Sequence, residues 1–275
     1  VSTVLVANRG EIACRILRAC NEAGLQTIAI FAKNDADSLF VELATIAVAL
    51  TGDTIAETYL DQQQILRIAA QYEADAIHPG FGFLSERADF AKAVQDAGII
   101  WIGPSPKAIE MMGDKMTARK TMKAAGVPVN PGEEIEFDDE KKMVQAILAA
   151  SERVGYPLLL KASSGGGGKG MRKVTHPDDL LQSIEGARRE AIAAFGDGRI
   201  YVERLLTESK HVEIQILADT HDRTIHLGER ECSVQRRHQK VFEESPCPAL
   251  TPKLREAMGK AAVMAAKAVN YLSLI

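Results

Sequence analysis

The residues that point most directly to chemistry form a short glycine tract between two predicted strands. Five of the 21 glycines fall within residues 165–170, and Lys161 ends the apolar strand just before them. Backbone N–H groups that no side chain covers can surround phosphate oxygens, and a lysine adds a point charge for the same oxygens. The tract therefore predicts a polyphosphate-binding loop. Its composition alone is also typical of a flexible hairpin tip, and Lys161 alone is equally typical of an exposed strand end.

Two common nucleotide-binding motifs do not fit this tract. Gly165, Gly167 and Gly170 satisfy the spacing of the dinucleotide fingerprint. That fingerprint opens a helix, however, whereas Met171–Val174 is predicted as a strand. The P-loop pattern also fails, because no serine or threonine follows the Gly-Lys pair in the required place. The tract is therefore predicted to bind phosphate in a different structural setting.

Two further sets of charged residues suggest an anion site. Lys115 is predicted at a helix start, where the helix dipole disfavours a cation unless an anion lies nearby. Taken alone, it is more typical of an ordinary surface lysine. The polar segment 229–240 follows a core strand, and if it stays extended, His238 and Lys240 point to one face. There they could bind a small anion or move a proton, although a solvated edge strand explains the segment alone.

The elements that must position these residues follow a regular order. Short apolar runs alternate with helical patterns from Val1 to Gly103, which predicts a largely parallel sheet covered by helices. The loop 78–86 follows one predicted strand at the carboxyl edge of that sheet, where ligands tend to bind; a tight strand-to-helix connection is the alternative. A second unit is predicted to begin near residue 130, with an acidic loop over residues 133–140 and later antiparallel hairpins.

The composition narrows the classes of partner. Lysine and arginine number 33 against 37 aspartates and glutamates, so the net charge of −4 lacks the basic field that supports nonspecific nucleic-acid binding. The longest apolar stretch, residues 39–50, is much shorter than the ~20 residues of a membrane-spanning helix. The four cysteines show neither CxxC pairing nor zinc-ligand spacing. We therefore expect a reduced, cytoplasmic chain with no nucleic-acid or membrane partner.

Six motifs in register resemble biotin carboxylase, the ATP-grasp component of the acetyl-CoA, propionyl-CoA and pyruvate carboxylases. Single matches of this kind are weak, but six in the family's order across almost the whole chain are specific. The matching segments are residues 4–13, 78–86, 112–115, 161–171, 211–215 and 231–240.

The resemblance implies a fold and a division into domains. The expected class is α/β, with a Rossmann-like N-terminal parallel sheet, an ATP-grasp lid and an incomplete antiparallel α+β ATP-grasp core. The expected parts are an N-terminal domain over residues 1–113, a helical linker over 114–130, a lid with a glycine flap over 131–203 and the start of a truncated core over 204–275.

The resemblance also implies roles for individual residues. The positions it assigns to ATP are Lys115, Lys161, Gly167, Gly168, Glu203, Arg204, Leu205, Leu206 and His211. The positions it assigns to catalysis are Gln235, His238 and Lys240. In this scheme the two assigned lysines contact phosphates, the flap closes over them, residues 203–206 form the adenine hinge, and Lys240 meets bicarbonate or the phosphate made from it.

The implied reaction is ATP-dependent carboxylation of biotin on a biotin carboxyl carrier protein, using bicarbonate through carboxyphosphate, within an acyl-CoA carboxylase. The implied cofactors are ATP and Mg²⁺ or Mn²⁺, with carrier-bound biotin as substrate. No metal ligand is assigned within the chain. The family's acidic metal ligands and catalytic arginines are expected beyond Ile275, so the chain alone is expected to lack turnover. The expected partners are the carrier, a carboxyltransferase subunit and, in the full-length form, further copies of the chain.

Two alternative functions are kept. The first is another ATP-grasp ligase, of the carbamoyl-phosphate or purine-pathway synthetase type. Those enzymes share the architecture but not the loop 78–86 or the segment 235–240 as written here. The second is a non-catalytic nucleotide-binding or assembly fragment.

Overall fold

The computed structural model describes residues 1–135, 139–162, 171–196, 198–236 and 239–272. The chain folds into two compact units, each described separately below. The first comprises Val1–Gly113, Leu217–Thr224 and Val269–Ile275, and the second comprises Asp114–Ile216 and Ile225–Ala268. The predicted α/β class is confirmed, because the first unit contains a parallel sheet with helices and the second contains antiparallel sheets.

The first unit is built on a five-stranded sheet with the order β3-β2-β1-β4-β5. All of its strand pairs are parallel. Its elements are β1 (Thr3–Val6), α1 (Gly10–Glu22), β2 (Gln26–Phe31), α2 (Leu39–Leu43), β3 (Ile46–Ala49), α3 (Gln62–Gln71), β4 (Ala76–His78), α4 (Ala88–Asp96), β5 (Ile100–Trp101) and α5 (Pro106–Gly113).

The sequence explains the central elements of this sheet. All four residues of β1 are buried, as expected for a parallel strand covered on both faces. Helix α1 buries Ala13, Ile16 and Leu17 on one side, which is the amphipathic pattern of a helix that covers a sheet. The helix ends before Gly24, whose φ of 73° is a left-handed conformation that glycine adopts at low cost.

The apolar stretch of residues 39–50 forms two short elements, α2 and β3. Phe40 of α2 is buried, and β3 pairs with β2 through the register Ile28 to Ile46. Within the described residues, no helix has both the length and the apolar character needed for a bilayer crossing.

The second unit contains a four-stranded antiparallel sheet with the order β6-β9-β7-β8. Its apolar face packs with α7 and α8 around Ile147, Leu158, Leu160, Ile184 and Val202. Its elements are α6 (Lys115–Ala124), β6 (Gly132–Ile135), α7 (Glu140–Val154), β7 (Leu158–Ala162), β8 (Met171–Val174), α8 (Leu180–Phe195) and β9 (Ile200–Arg204).

Strand β6 corrects one prediction. Residues 133–140 were predicted as an acidic loop, but the structure places Glu133 to Ile135 in β6, paired with β9. The acidic composition suggested a loop because Ile135 is the single large apolar residue of β6 (Gly132–Ile135), and its side chain is buried in the core. Cross-strand pairing with β9 therefore outweighs the weak local propensity of this segment.

A second antiparallel sheet has the order β10-β11-β12 and is followed by one long helix. Its strands are β10 (Val212–Ala218), β11 (Thr224–Arg236) and β12 (Gln239–Glu244), and the helix is α9 (Pro252–Ala268). The buried carboxylate of Glu229 on β11 accepts hydrogen bonds from Arg255 Nε at 2.8 Å and from Cys247 N at 3.1 Å. These bonds attach α9 to the sheet.

The turn between β11 and β12 corrects a second prediction. The segment 229–240 was considered as one extended strand that places His238 and Lys240 on the same face. The structure instead ends β11 at Arg236 and begins the antiparallel β12 at Gln239, with Gln235 opposite Lys240. A two-residue period does not continue through a chain reversal, so that argument was wrong. His238 itself lies outside the described residues.

Candidate active site

Lys161 and Glu203 lie on adjacent strands of the four-stranded sheet. Lys161 is opposite Tyr201 and Leu159 is opposite Glu203, so these four side chains share the face that points away from α7 and α8. The ammonium of Lys161 forms an ion pair with the Glu203 carboxylate. Both side chains are largely covered, at 29% and 17% exposure. Lys161 is thus held near the end of β7, four residues before the first glycine of the tract.

The strand end at Arg204 is fixed by neighbouring segments. Its backbone N–H donates to Pro131 O at 2.9 Å, and its guanidinium Nη1 donates to Val154 O at 3.1 Å, at the C-terminus of α7. The next residue, Leu205, donates its N–H to Pro157 O at 2.9 Å. The side chain and the backbone N–H of Arg204 are thus both bonded within the second unit.

His211 and Gln235 meet on the three-stranded sheet. Gln235 Nε2 lies 2.7 Å from His211 Nδ1 and also donates to Cys232 O at 2.8 Å. Since the amide nitrogen is a donor, this network assigns Nδ1 as an acceptor and places the ring proton on Nε2. The backbone N–H of His211 donates to Ser233 Oγ at 2.8 Å, which fixes the residue at the start of β10.

Glu213 is the centre of a charged cluster beside His211. Lys240 Nζ pairs with Glu213 Oε2, Arg230 Nε donates to Glu213 Oε1 at 2.6 Å, and Arg230 lies 3.6 Å from Glu243. Burial by itself raises the pKa of Glu213, but the hydrogen bonds from Lys240 and Arg230 hold its pKa below the usual value. The bond to Glu213 raises the pKa of Lys240. The cluster therefore holds two cationic side chains around the Glu213 carboxylate.

Sequence reasoning missed Glu213 and Arg230 as site residues. A signal was present, because alternate residues of a strand share a face, and His211, Glu213 and Gln215 have that spacing on β10. Arg230, on the neighbouring strand β11, bonds to two residues of this face, since its Nη2 also donates to Gln215 Oε1 at 3.1 Å. Only the pairing of β10 with β11 brings it there.

Among the described residues, Glu213, Cys232 and Glu243 place three ligand atoms within 4.8 Å of one another. These atoms do not fit Mg²⁺ or Mn²⁺. Arg230 and Lys240 already neutralise the carboxylates, and a thiol is a poor ligand for hard cations that prefer oxygen. We assign no metal to this group.

The loops after β1 and β4 meet at the carboxyl edge of the parallel sheet, as predicted for the loop 78–86. Asn8 Nδ2 donates to Pro79 O at 2.7 Å and to Phe81 O at 2.8 Å, and Gly80 N donates to His78 Nδ1 at 3.0 Å. Burial lowers the pKa of His78 to about 4. Between these loops is a pocket of about 380 Å³, lined by Asn8, Arg9, Gly10, Glu11, Ile12, Phe81, Gly82 and Phe83.

The structure groups some of the predicted residues and leaves others untested. It joins Lys161 with Glu203, His211 with Gln235, and Lys240 with Glu213. Lys115 begins α6, as predicted, but only its backbone is described. Gly167, Gly168 and His238 lie outside the described residues. A common cavity for Lys115, Lys161 and the glycine flap stays a prediction, and so do the bounds of the four predicted parts of the chain.

Two parts of the chain match two different protein families. Residues 114–274 match the family described as the ATP binding domain of the carbamoyl-phosphate synthase L chain. Residues 1–109 match the N-terminal domain of biotin carboxylase. The lysine-bearing antiparallel sheets of the second unit therefore define an ATP-binding domain of the ATP-grasp class.

Similar proteins narrow this class. The chain is 50% identical over 268 residues to a biotin carboxylase from Nostoc sp., and the match covers 98% of this chain and 59% of that protein. Biotin carboxylase 2 of Bacillus subtilis is 46% identical, with 98% and 60% covered. The chain thus spans about three fifths of the length of these relatives.

Solved structures agree with this result. The biotin carboxylase–β-γ-ATP complex from Campylobacter jejuni has a TM-score of 0.89 at 41% identity, covering 98% of this chain and 60% of that one. The biotin carboxylase domain dimer of Hydrogenobacter thermophilus 2-oxoglutarate carboxylase, with MgADP, ADP and bicarbonate, has a TM-score of 0.87 at 44% identity, covering 99% and 59%. The chain therefore belongs to the family of the carbamoyl-phosphate synthase L chain ATP binding domain over residues 114–274, preceded by a biotin carboxylase N-terminal domain over residues 1–109.

Proposed function

We propose that this chain binds the ATP and bicarbonate of a biotin carboxylase, which carboxylates biotin on a carrier protein. The observation that carries the proposal is the position of Lys161. Its ammonium is ion-paired with Glu203 near a strand end, four residues before the first glycine of the tract. This arrangement suits the phosphate tail of a nucleotide, and the similar structure from Campylobacter jejuni is a complex with β-γ-ATP.

The proposed chemistry has two steps. A bicarbonate oxygen attacks the γ-phosphorus of ATP, ADP leaves, and carboxyphosphate forms. The bond between the carboxyl carbon and the phosphate oxygen of carboxyphosphate then breaks beside biotin, the ureido nitrogen takes the carboxyl group, and the proton of that nitrogen goes to the released phosphate. Phosphoryl transfer of this kind needs positioning and charge neutralisation more than covalent help from the protein. Lys161 and Lys115 would neutralise phosphate charge, and Gly167 and Gly168 would close over it.

The charged cluster on the second sheet suits the small anion. Lys240 Nζ is ion-paired with Glu213, and in this proposal the ammonium exchanges that carboxylate for bicarbonate or for the phosphate formed from it. His211 and Gln235 would orient the bound groups, and His238 is proposed to act with them. Mg²⁺ or Mn²⁺ would accompany ATP. No step is assigned to a metal, because the described cluster does not fit one.

The wider assignments follow from the same family. We propose a biotin carboxyl carrier and a carboxyltransferase as partners, within an acyl-CoA carboxylase that assembles as a homo-oligomer. The similar domain from Hydrogenobacter thermophilus is a dimer. The four cysteines are free, which supports a reducing compartment such as the cytoplasm.

ATP binding by this chain tests the proposal. Lys161→Gln removes the ammonium, and we expect it to weaken ATP binding at least tenfold in isothermal titration calorimetry, because charge-assisted bonds to phosphate are strong. Lys142→Gln is the matched control, since Lys142 is exposed on α7. Failure of the unmodified chain to bind ATP, or equal affinities for the chain and Lys161→Gln, would contradict the proposal.

A further inference from the structure

The proposed adenine hinge, residues 203–206, begins where the pairing between β6 and β9 lacks one backbone hydrogen bond. Arg204 on β9 donates its backbone N–H to Pro131 O at 2.9 Å, in continuation of the pairing between β6 and β9. A regular antiparallel pair would return a second bond to Arg204 O, but Pro131 has no N–H to donate. The side chain of Asn130 supplies that bond instead, since its Nδ2 donates to Arg204 O at 2.8 Å.

This bond fixes the orientation of the Asn130 amide. A carbonyl oxygen can only accept, so the nitrogen end of the amide must face Arg204 O, and Oδ1 must lie at the other end. Asn130 Oδ1 is buried and has no hydrogen-bond partner within the part of the chain that the structure describes. Buried acceptors without partners are rare in folded proteins and call for an explanation.

The segment that carries Asn130 is held from the other side. The guanidinium of Arg119 donates to Asn130 O and, at 3.4 Å, to Gly132 O. The same guanidinium lies over the Tyr201 ring, 5.5 Å from its centroid. The main-chain carbonyl of Asn130 is therefore held by the Arg119 guanidinium, and its side-chain amide is held by Arg204 O.

We propose that Asn130 determines specificity for adenine at this hinge. Its Oδ1, together with the second lone pair of Arg204 O, would accept hydrogen bonds from the 6-amino group of the purine. A 6-oxo purine presents an oxygen at the same position, so acceptor would face acceptor and a buried group would stay unpaired. The inference rests on the proposed function, because it requires the nucleotide to lie against residues 203–206.

The experiment compares ATP with ITP, in which an oxo group replaces the 6-amino group. Dissociation constants of both nucleotides are measured by isothermal titration calorimetry on this chain and on Asn130→Ala. We expect the unmodified chain to bind ATP about tenfold or more tightly than ITP, since one good hydrogen bond accounts for a factor of this size. Asn130→Ala should reduce the ratio to about twofold or less, mainly through weaker binding of ATP.

A double variant separates specificity from strand pairing. Asn130→Ala with Pro131→Ala gives residue 131 an N–H that can donate to Arg204 O, so the ladder is repaired while Oδ1 is still missing. We expect the low ATP/ITP ratio to persist. Recovery of the original ratio would show that Asn130 only replaces a ladder bond, and equal affinity of the unmodified chain for both nucleotides would also overturn the inference. Absence of binding to either nucleotide would remove the proposed function as well.

Discussion

Acidification should destabilise the first unit through His78. The ring is largely buried at the end of β4, and burial lowers the pKa of His78 from 6.5 to about 4. The folded state therefore binds this proton less readily than the unfolded state. The sign follows by linkage: the contribution of the neutral ring is complete above the unfolded pKa of 6.5 and is lost as the pH falls toward 4.

The size of the effect follows from the two pKa values. Each pKa unit corresponds to about 1.4 kcal/mol, so the shift from 6.5 to about 4 costs about 3 kcal/mol once the pH is below both values. At pH 5 the unfolded histidine is almost fully protonated and the folded one is mostly neutral. The expected loss there is about 2 kcal/mol of unfolding free energy relative to pH 8.

Trp101 provides the assay, because it is the single tryptophan and lies buried in β5 of the same unit. Urea unfolding is followed by its fluorescence from pH 8 to pH 5 for the unmodified chain and for His78→Asn. The difference in unfolding free energy between the two proteins cancels the effects of the other titrating groups. It should change by about 2 kcal/mol between pH 8 and pH 5. His221→Asn, at an exposed histidine counted with the same unit, is the control. A difference that stays constant with pH would refute the reasoning.

Two further predictions concern single contacts. Gly80→Ala should destabilise the first unit by about 2 kcal/mol or more, because the residue has a φ of 65° and an added Cβ would lie 2.8 Å from Asn8 Nδ2. Gly98→Ala, with positive φ but open space, should cost about 1 kcal/mol in the same urea assay, and equal costs would contradict the steric argument. Glu213→Gln should lower the pKa of Lys240, measured as faster acylation of its amine at pH 8; an unchanged rate would contradict the assigned ion pair.

The first unit was largely predictable from local pattern. Its strands are short apolar runs and Gly24 marks a helix end by its conformational freedom, so the alternation of strands and helices over residues 1–103 could be predicted. Strands β3 and β6 were not predicted. Each has only four residues, with partly exposed or acidic positions, and forms because a neighbouring strand supplies its hydrogen bonds.

The candidate site was predictable in part. The position of Lys161 follows from an apolar strand that runs into a glycine tract, which is local information. The shared carboxylate of Glu213 is different, because it depends on two long-range pairings that bring Arg230 and Lys240 to β10. The reversal between β11 and β12 also fell inside a polar segment that gave no clear turn signal.

The two oxygens of Glu213 have different partners, and this has a consequence for anion capture. Oε1 is bound by Arg230 and Oε2 by Lys240. When Lys240 turns toward an incoming anion, the Glu213 carboxylate keeps a cationic partner. The Glu213 carboxylate would therefore still have a counter-charge while Lys240 binds the proposed anion. Arg230 would stay bound to Glu213 Oε1 when Lys240 leaves Oε2.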